Sequence, residues 1–389
     1  MTAHDRFRSV VPPYLLQAVA RAAEHPRAAA AARTALAEMS AVSAPKHEHR
    51  VRPRQLAATP DRSPQRTIAD AAGTTTLPGT VVRREGEPAT GDAAVDEAYA
   101  GLGATHAFWL EVFGRVSIDG AGLPLDATVH YGQDYDNAYW DGQRMVFGDG
   151  DDEVFRRFTV ALDVIGHELA HGVTQYTADL TYEGQSGALN ESVSDVFGSL
   201  VAQYAAGQTA EQATWLIGEG LFTDAVHGVA LRSMRAPGTA YDDPVLGKDP
   251  QPSTMAGYVQ TTEDSGGVHL NSGIPNHAFF LAATAIGGNA WEGAGAVWWD
   301  ALTSDATTES IDFAGFARVT VDAAARRFGR GSAEATAVAD AWRTVGVLGA
   351  TAAGTTDGVT DTDGDVGTDG DAVTDGSGDG SGDGPRHRA

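Results

Sequence analysis

Cysteine is absent from this chain of 389 residues, which excludes disulfide bonds and thiolate metal sites as sources of stability. Apolar runs are short, and none approaches the roughly 20 residues that a membrane-spanning helix requires. Basic residues are few: the chain has 27 Lys and Arg against 52 Asp and Glu, which gives a formal net charge of -25. The composition is that of a globular protein, and its acidic balance argues against a nucleic-acid partner.

The charge is unevenly distributed along the chain. Residues 1–66 carry 11 Lys and Arg against 5 Asp and Glu, a net of +6, which leaves -31 for the remainder. The length exceeds that of one ordinary core and predicts two domains with appendages. Alternating apolar runs predict strands at 80–83 and 127–131. Apolar spacing of three and four predicts helices at 94–113, 160–176, 193–205, 279–285, 294–302, 313–328 and 333–347.

The segment DVIGHELAHGVT, residues 163–174, reads as a helix that carries two histidines on one face. His167 and His171 are four residues apart, so both imidazoles can hold one metal ion. Glu168 follows the first histidine, where a carboxylate can act as a base toward metal-bound water without being a ligand. The HExxH pattern alone also occurs by chance in helices that bind no metal, so further ligands must support it.

A third ligand candidate is Glu191, twenty residues after His171 in the segment GALNESVSD. Two imidazoles and one carboxylate, with a fourth position left to water, are typical of a catalytic zinc site. Asp195 lies one helical turn further on, where it can accept the ring N–H of a liganding histidine. As an isolated residue, Asp195 fits an ordinary surface position equally well.

The third motif is GGVHLNSGIPNHAF, residues 266–279, in which paired glycines predict a tightly held loop that presents His269. The three motifs, in this order and spacing, resemble the thermolysin family of zinc endopeptidases from about residue 67 to residue 347. The resemblance implies an α+β, two-lobed metallopeptidase. Its N-terminal lobe is a mixed β-sheet with helices, its C-terminal lobe is mostly helical, and the zinc helix lies between them.

On this basis we divide the chain into four segments. They are a short propeptide with a basic linker at 1–60, a catalytic lobe that includes the zinc helix at 61–178, a helical catalytic lobe at 179–349, and a disordered acidic tail at 350–389. The tail is rich in Asp and Gly and cannot bury a core. Its Asp-Gly-Asp spacing also suggests a calcium loop, but the glutamate that ends an EF-hand loop is missing.

The resemblance implies that Glu168 is the catalytic base and that His269 and Tyr182 face the oxyanion. Asp264 would orient the His269 imidazole and raise its pKa. Tyr182 fits core packing equally well. Asn137 and Ala138 lie between two strand-like pieces, and the resemblance implies that they hold the main chain of an extended substrate.

Arg232 would donate to a substrate carbonyl by the same resemblance. The specificity pocket would accept a bulky apolar residue just after the scissile bond, since burial of such a side chain contributes about 1.5–3 kcal/mol. Each pocket residue taken alone fits ordinary core packing. The residues that match this pocket are Phe155, Phe158, Val164, Ile217 and Leu231.

The N-terminus has no uninterrupted apolar core before Pro12 and Pro13, so it does not read as a signal peptide. The string PPYLL, followed by an Ala- and Arg-rich run to about residue 40, resembles the short propeptide of the protealysin-like branch of the family. A plain N-terminal helix is the alternative. Residues 44–65 predict an exposed linker. We hypothesise that the propeptide covers the cleft as an intramolecular inhibitor, is drawn there partly by charge, and is removed by the enzyme.

Many relatives bind two calcium ions near the zinc helix, but Ala202 and Leu216 stand here where acidic ligands are expected. Because calcium takes six to eight oxygen ligands, at most one calcium site, through Asp163 and Glu219, is predicted beside the zinc.

Three classes of function agree with these motifs. The first is an active, self-processing zinc endopeptidase, the second a peptide-binding or inactive homologue, and the third a zinc hydrolase for smaller substrates. The intact Glu168, His269 and ligand set favour the first, with polypeptides as substrates and a monomeric enzyme. The family implies secretion, whereas the N-terminus leaves a cytoplasmic location or non-conventional export open.

Overall fold

The computed structural model of the chain describes residues 8–41 and 62–349. Nearly all of the predicted linker at 44–65 and the whole of the tail at 350–389 lie outside these residues, so both stay predictions. Within the described residues, no helix combines the length and the apolar character needed to cross a membrane.

A six-stranded mixed sheet forms the N-terminal half, in the order β1-β5-β6-β4-β2-β3. The parallel pairs are β2 with β4 and β4 with β6, and the remaining neighbours are antiparallel. The central strand β4 is almost fully buried, whereas the edge strand β3 alternates between half-buried and exposed residues. The strands are β1 Arg8–Ser9, β2 Arg66–Asp70, β3 Thr80–Arg84, β4 Leu125–Val129, β5 Ala138–Trp140 and β6 Met145–Phe147.

The strand at one edge of this sheet comes from the N-terminal segment. Arg8 pairs with Trp140 and Ser9 with Tyr139, antiparallel to β5. Beyond β1, the chain forms two helices, α1 at Pro13–Val19 and α2 at Pro26–Ala41. The single Ala- and Arg-rich helical run predicted to about residue 40 is therefore two helices.

Helices dominate the chain after β6. Two short antiparallel strand pairs interrupt them, β7 (Leu216–Ile217) with β8 (Arg232–Ser233) and β9 (Asp242–Asp243) with β10 (Gly247–Lys248). Single 3-10 turns cover Phe158–Val160 and Met255–Gly257. The remaining helices are α3 Ala93–Phe113, α4 Leu162–Gln175, α5 Gly184–Ala206, α6 Asp264–Asn271, α7 Gly273–Ile286, α8 Ala294–Leu302, α9 Phe313–Phe328 and α10 Ala333–Thr344.

Most of the predicted helices agree with these bounds within a few residues, and those at 294–302 and 313–328 coincide with α8 and α9. Two begin earlier than predicted, α5 at Gly184 rather than 193 and α7 at Gly273 rather than 279. The fold is thus the predicted α+β architecture, with a mixed sheet in the N-terminal half and helices in the C-terminal half.

Two glycines let α4 and α5 cross closely. A Cβ atom added to Gly198 would lie 2.4 Å from the carbonyl oxygen of Asp163 and 2.9 Å from the backbone nitrogen of His167. One added to Gly166 would lie 3.0 Å from the Gly198 Cα atom. A side chain at Gly198 would therefore force the helices apart. The crossing brings the histidines of α4 against the carboxylates of α5.

A left-handed turn precedes His269. Ser265, Gly266 and Gly267 have φ angles of 54°, 86° and 75°, and a Cβ atom on Gly266 would lie 3.0 Å from the Gly184 backbone nitrogen. Glycine is favoured where the backbone is left-handed and closely approached. The predicted loop is therefore a left-handed turn that leads into helical residues, and His269 is on the helical part.

Candidate active site

Three ligand-type side chains meet between α4 and α5. In the part of the chain that the structure describes, His167, His171 and Glu191 are the only group of three or more such residues whose ligand atoms all lie within 4.8 Å of one another. All three are buried, with at most 1% of their surface exposed. The Nε2 atoms of the two histidines are 3.1 Å apart, and they lie 3.6 and 3.4 Å from the nearer Glu191 oxygens.

These separations fit a tetrahedral zinc ion. Ligand bonds of about 2.0–2.2 Å place tetrahedral ligand atoms roughly 3.3–3.6 Å apart. Glu191 Oε2 is buried and accepts no hydrogen bond, which is costly for a carboxylate unless a cation lies beside it. The donor set of two imidazoles and one carboxylate is also the set that zinc prefers at catalytic sites.

Hydrogen bonds fix the orientation of both imidazoles. His167 Nδ1 lies 2.8 Å from Asp195 Oδ1, and His171 Nδ1 lies 2.7 Å from Asn190 Oδ1. Because both partners are acceptors, each Nδ1 carries the proton and donates it. The lone pairs of both Nε2 atoms therefore face the metal position.

Asp195 also holds Arg232. The Arg232 guanidinium donates from Nε to Asp195 Oδ2 at 2.9 Å and from Nη2 to Oδ1 at 2.8 Å, and both side chains are buried. Burial alone would raise the pKa of Asp195, but Arg232 and His167 hold it well below its usual range. Asn276 Nδ2 adds a further hydrogen bond of 2.8 Å to the same carboxylate. The Asp195 carboxylate thus links His167 of the ligand group to Arg232.

Glu168 is fully buried beside the two histidines. Its Oε2 accepts a 3.0 Å hydrogen bond from the Trp140 N–H, whereas its Oε1 has no hydrogen-bond partner. Burial, with the negative charge of Glu191 as a smaller cause, raises the pKa of Glu168 well above its usual range. A carboxylate with a raised pKa and an unpartnered oxygen is suited to accept and return a proton.

His269 and Tyr182 lie next to Glu191. His269 Nε2 is 3.4 Å from the Tyr182 hydroxyl oxygen, and that hydroxyl also donates to Glu191. Asp264 accepts from His269 Nδ1 at 2.6 Å and from its backbone N–H at 2.9 Å. Although burial would lower it, Glu191 and Asp264 raise the pKa of His269 to about 9. The imidazole is therefore a cationic hydrogen-bond donor at neutral pH.

The N-terminal segment lies across this site. Asn137 Oδ1 accepts from the Val11 N–H at 3.0 Å, and the Ala138 carbonyl accepts from the Val10 N–H at 3.2 Å. Arg232 Nη1 donates to the Val10 carbonyl at 2.8 Å, and His269 Nε2 lies 3.0 Å from the Ser9 carbonyl oxygen. The residues expected to hold a substrate backbone therefore hold residues 9–11.

The five predicted pocket residues are all buried within the hydrophobic core. Phe155 and Phe158 have ring centroids 5.8 Å apart. Ile217 and Leu231 are joined by a 2.9 Å backbone hydrogen bond next to Arg232, and Val164 lies in the first turn of α4. The structure thus places Ile217 and Leu231 beside the arginine that contacts the Val10 carbonyl.

Asp163 and Glu219, the predicted calcium ligands, line one cavity of about 230 Å³ together with Ser199 and Gln203. Asp163 Oδ2 accepts a 2.6 Å hydrogen bond from the Gly218 N–H. A cation there would need its other oxygens from carbonyl groups, amides and water. The calcium site stays a prediction.

Replacing Asp163 with Asn is expected to stabilise the calcium-free protein at neutral pH. Burial raises the pKa of Asp163 from 3.8 to about 6. Its stabilising contribution is therefore complete below about pH 4 and is lost as the pH rises through 6. At about 1.36 kcal/mol for each pH unit, the cost of ionisation is about 3 kcal/mol. The amide oxygen of Asn preserves the bond to Gly218.

Urea unfolding at pH 4.5 and pH 7.5 in calcium-free buffer measures this effect. We expect the variant to exceed the wild type at pH 7.5 and to lose that advantage at pH 4.5. Asp224→Asn is the control, because the Asp224 side chain is fully exposed. If the free energy of unfolding depends on pH equally in the wild type and in Asp163→Asn, the raised pKa is not that of Asp163. Added calcium that stabilises the wild type but not Asp163→Asn would support the predicted calcium site.

Sequence reasoning missed several residues of this site. Asn190 and Ser194 contact His171 Nδ1, and Asn276 contacts Asp195, yet all three stand inside the motifs that define the family. Their signal was the motif itself: Asn190 and Ser194 are within one helical turn of Glu191, and Asn276 follows His269 in the third motif. Val10 and Val11 carried no comparable signal.

The fold and this site define a class, the metallohydrolases with a His-His-Glu site between two lobes. Comparison with known proteins then specifies the family. Residues 55–175 match the model of the thermolysin metallopeptidase catalytic domain, and residues 178–347 match that of its alpha-helical domain. The chain belongs to the thermolysin family of metallopeptidases, and it is a zinc metalloendopeptidase.

Individual relatives agree with this assignment. The chain is 53% identical over 339 residues to an extracellular metalloprotease of Pectobacterium carotovorum subsp. carotovorum, which covers 87% of this chain and 96% of the relative. It is 39% identical over 288 residues to a thermolysin of Alicyclobacillus acidocaldarius, covering 72% of this chain and 50% of the relative. The solved precursor of protealysin from Serratia proteamaculans superposes with a TM-score of 0.80 at 53% identity, covering 88% of this chain and all of that one.

Proposed function

We propose that this metalloendopeptidase is made as an inactive precursor, that its own N-terminal segment blocks the cleft, and that the enzyme removes this segment itself. The observation that carries the proposal is the position of residues 9–11 on Asn137, Ala138, Arg232 and His269. A segment bound there excludes a substrate from the groups that would hold its backbone.

Chemistry in the open site follows from the arrangement of its residues. His167, His171 and Glu191 would hold a zinc ion, which would supply a water of lowered pKa and polarise the substrate carbonyl. Glu168 accepts the water proton and returns it to the leaving amine. His269, whose Nδ1 is held by Asp264, and the Tyr182 hydroxyl donate hydrogen bonds where negative charge develops on the carbonyl oxygen.

Charge complementarity supports docking of the precursor segment. Arg27, in the first turn of α2, makes two hydrogen bonds to Asp134 of 2.7 and 3.2 Å. The Ala28 N–H at the start of the same helix donates to Glu153 at 3.1 Å, where the helix dipole favours negative charge. These contacts agree with a basic segment that binds an acidic catalytic body.

The open enzyme is expected to prefer a bulky apolar residue just after the scissile bond. The support is that Ile217 and Leu231 adjoin Arg232, and that Phe155, Phe158 and Val164 are buried in the same hydrophobic core. Replacing Leu by Ala in that position of a peptide substrate should lower kcat/KM by about tenfold or more, since burial of the larger side chain contributes about 1.5–3 kcal/mol. Equal values of kcat/KM for the two peptides would exclude this pocket.

Processing is tested by intact mass spectrometry of the zinc-loaded wild type and the Glu168→Ala variant, each with and without a chelator. We expect the wild type alone to lose an N-terminal segment that ends within the predicted linker at 44–65 and to degrade casein afterwards. Adding processed wild type to the Glu168→Ala precursor should cut it at the same site. A wild type that stays whole, even when seeded with processed enzyme, would exclude self-removal.

The same experiment separates the other candidate functions. A processed enzyme that cuts casein at internal positions is not a hydrolase for small substrates alone. A zinc-loaded, processed chain without activity on casein or peptides would be an inactive homologue. We also propose export from the cell, supported by the relative named as an extracellular metalloprotease, and detection of the processed enzyme in the culture medium tests it.

A further inference from the structure

The N-terminal segment does more than fill the cleft, because one of its peptide bonds is aligned with the catalytic groups. We infer that the enzyme hydrolyses the Ser9–Val10 bond of its own chain in cis, as a first trimming step before the linker is cut. The inference rests on the proposed function, and it assigns a processing site upstream of the linker.

The carbonyl side of this bond faces the oxyanion donors. His269 Nε2 lies 3.0 Å from the Ser9 carbonyl oxygen, and the Tyr182 hydroxyl lies 3.4 Å from the same Nε2. Because a carbonyl oxygen only accepts hydrogen bonds, Nε2 is the donor, and its hydrogen bond polarises this carbonyl. Among the carbonyl groups of residues 9–11, that of Ser9 is therefore the one that contacts His269, the residue expected to stabilise the oxyanion.

The nitrogen side of the bond faces the catalytic carboxylate. The Val10 N–H donates to the Ala138 carbonyl at 3.2 Å, and two residues further along the same strand the Trp140 N–H donates to Glu168 Oε2 at 3.0 Å, so β5 holds both the Val10 nitrogen and the carboxylate. A proton on Glu168 would therefore be delivered to the Val10 nitrogen, which is the leaving amine of this bond. Carbonyl and amine thus match the positions that hydrolysis of a substrate requires.

Neighbouring contacts hold the bond in this register. β1 pairs antiparallel with β5, so the segment binds as an added strand. Arg232 holds the Val10 carbonyl and Asn137 holds the Val11 N–H, each within 3.0 Å. Ser9, Val10 and Val11 are each fully buried, as expected for a strand that is enclosed by the cleft. Val10 also supplies the apolar residue after the bond that the enzyme is expected to prefer.

The reaction is a simple hydrolysis. A water oxygen forms a bond to the Ser9 carbonyl carbon, the carbon–nitrogen bond to Val10 breaks, and the water proton passes through Glu168 to the Val10 amine. The products are a peptide of nine residues with a Ser9 carboxylate and a chain that begins at Val10. The shortened segment keeps its contacts with Arg232, Asn137 and Asp134, so the trimmed precursor stays inhibited until the linker is cut.

Intact mass spectrometry of freshly purified, zinc-loaded precursor without an N-terminal tag tests the inference. We expect a species that begins at Val10 to form before any species cut within the linker at 44–65, at a rate that is unchanged by tenfold dilution. The Glu168→Gln variant should form it at least about 100-fold more slowly. Val10→Asp, which would place a carboxylate in an apolar pocket, should block the cut, and Val10→Leu should permit it.

A second measurement does not depend on hydrolysis. Hydrogen exchange of the Glu168→Gln precursor should show protected amides at Val10 and Val11, and Val10→Asp introduced into it should abolish that protection. Exchange at unprotected rates in Glu168→Gln would overturn the register. A wild type whose first nine residues stay attached would also overturn the inference.

Failure of this inference is distinguishable from failure of the proposed function. Trypsin cuts after Arg and can release mature enzyme through the linker arginines, and the casein activity of that enzyme reports on the catalytic site alone. Active mature enzyme from a precursor that never yields a Val10 terminus leaves the proposed function intact and excludes the trimming step. Inactive mature enzyme excludes both.

Discussion

Replacing Glu168 with Gln in the mature enzyme should lower kcat/KM on a peptide substrate by about 10²–10⁴-fold, the usual contribution of a general acid–base catalyst. Gln can still accept the Trp140 N–H that now binds Glu168 Oε2 at 3.0 Å, so the position of the side chain is preserved. What the amide cannot do is accept a water proton and return it to the leaving amine. The rate of the chemical step should fall, whereas KM should change little.

The measurement compares both kinetic constants and the zinc content of the wild type and the variant. Zinc content should be equal, because Glu168 lies outside the group of His167, His171 and Glu191. Glu334→Gln, a half-buried carboxylate in the first turn of α10, controls for the loss of one carboxylate. A Glu168→Gln enzyme that retains more than about a tenth of wild-type kcat with full zinc would require another base.

Much of this centre could be predicted from the sequence because its chemistry lies in three short motifs. The spacing within each motif is helical, so His167, His171, Glu191 and Asp195 were assignable once the motifs were read together. Helix α9 was equally predictable, since Asp312 caps its start through the Gly315 N–H and Gly329 follows its end. Local patterns of this kind depend on neighbours within one turn of helix.

The beginning of α5 was missed for a physical reason. Periodicity reveals a helix with one apolar face, but residues 186–201 of α5 are buried on every side. Glycine and polar residues stand in its first turns, where Gly187 closely approaches Val268 and Asn190 and Glu191 belong to the site. The residues that serve the site are thus the ones that obscured the helix.

The register of the N-terminal segment could not be read from the sequence either. Strand β1 is two residues long, and the contact of Val11 with Asn137 spans 126 positions of the chain. Neither residue has a local pattern that specifies the other. Such pairing depends on the shape of the whole cleft, and that shape exists only after α4, α5 and the sheet have assembled.

The Asp195–Arg232 pair is the second place where a single replacement should have a large effect. Asp195→Ala leaves the Arg232 guanidinium buried without its partner and leaves His167 Nδ1 without its acceptor. Breaking a buried pair from one side costs about 3–5 kcal/mol. Loss of a partner that orients a metal ligand weakens metal affinity by about 10–100-fold. Unfolding by urea and competition with a chromophoric zinc chelator measure the two effects separately.

Asn276→Ala is the matched control, because it removes one neutral donor from the same carboxylate and leaves Arg232 and His167 paired. Its cost should stay near the 1–3 kcal/mol expected for a lost hydrogen bond to a buried group, and zinc affinity should hardly change. If Asp195→Ala does not fold, Asp195→Asn preserves the shape and removes the charge, so it should still weaken zinc binding. Equal losses in Asp195→Ala and Asn276→Ala would mean that solvent or a neighbouring group replaces the Asp195 charge. The carboxylate would then contribute geometry rather than electrostatic stabilisation of Arg232.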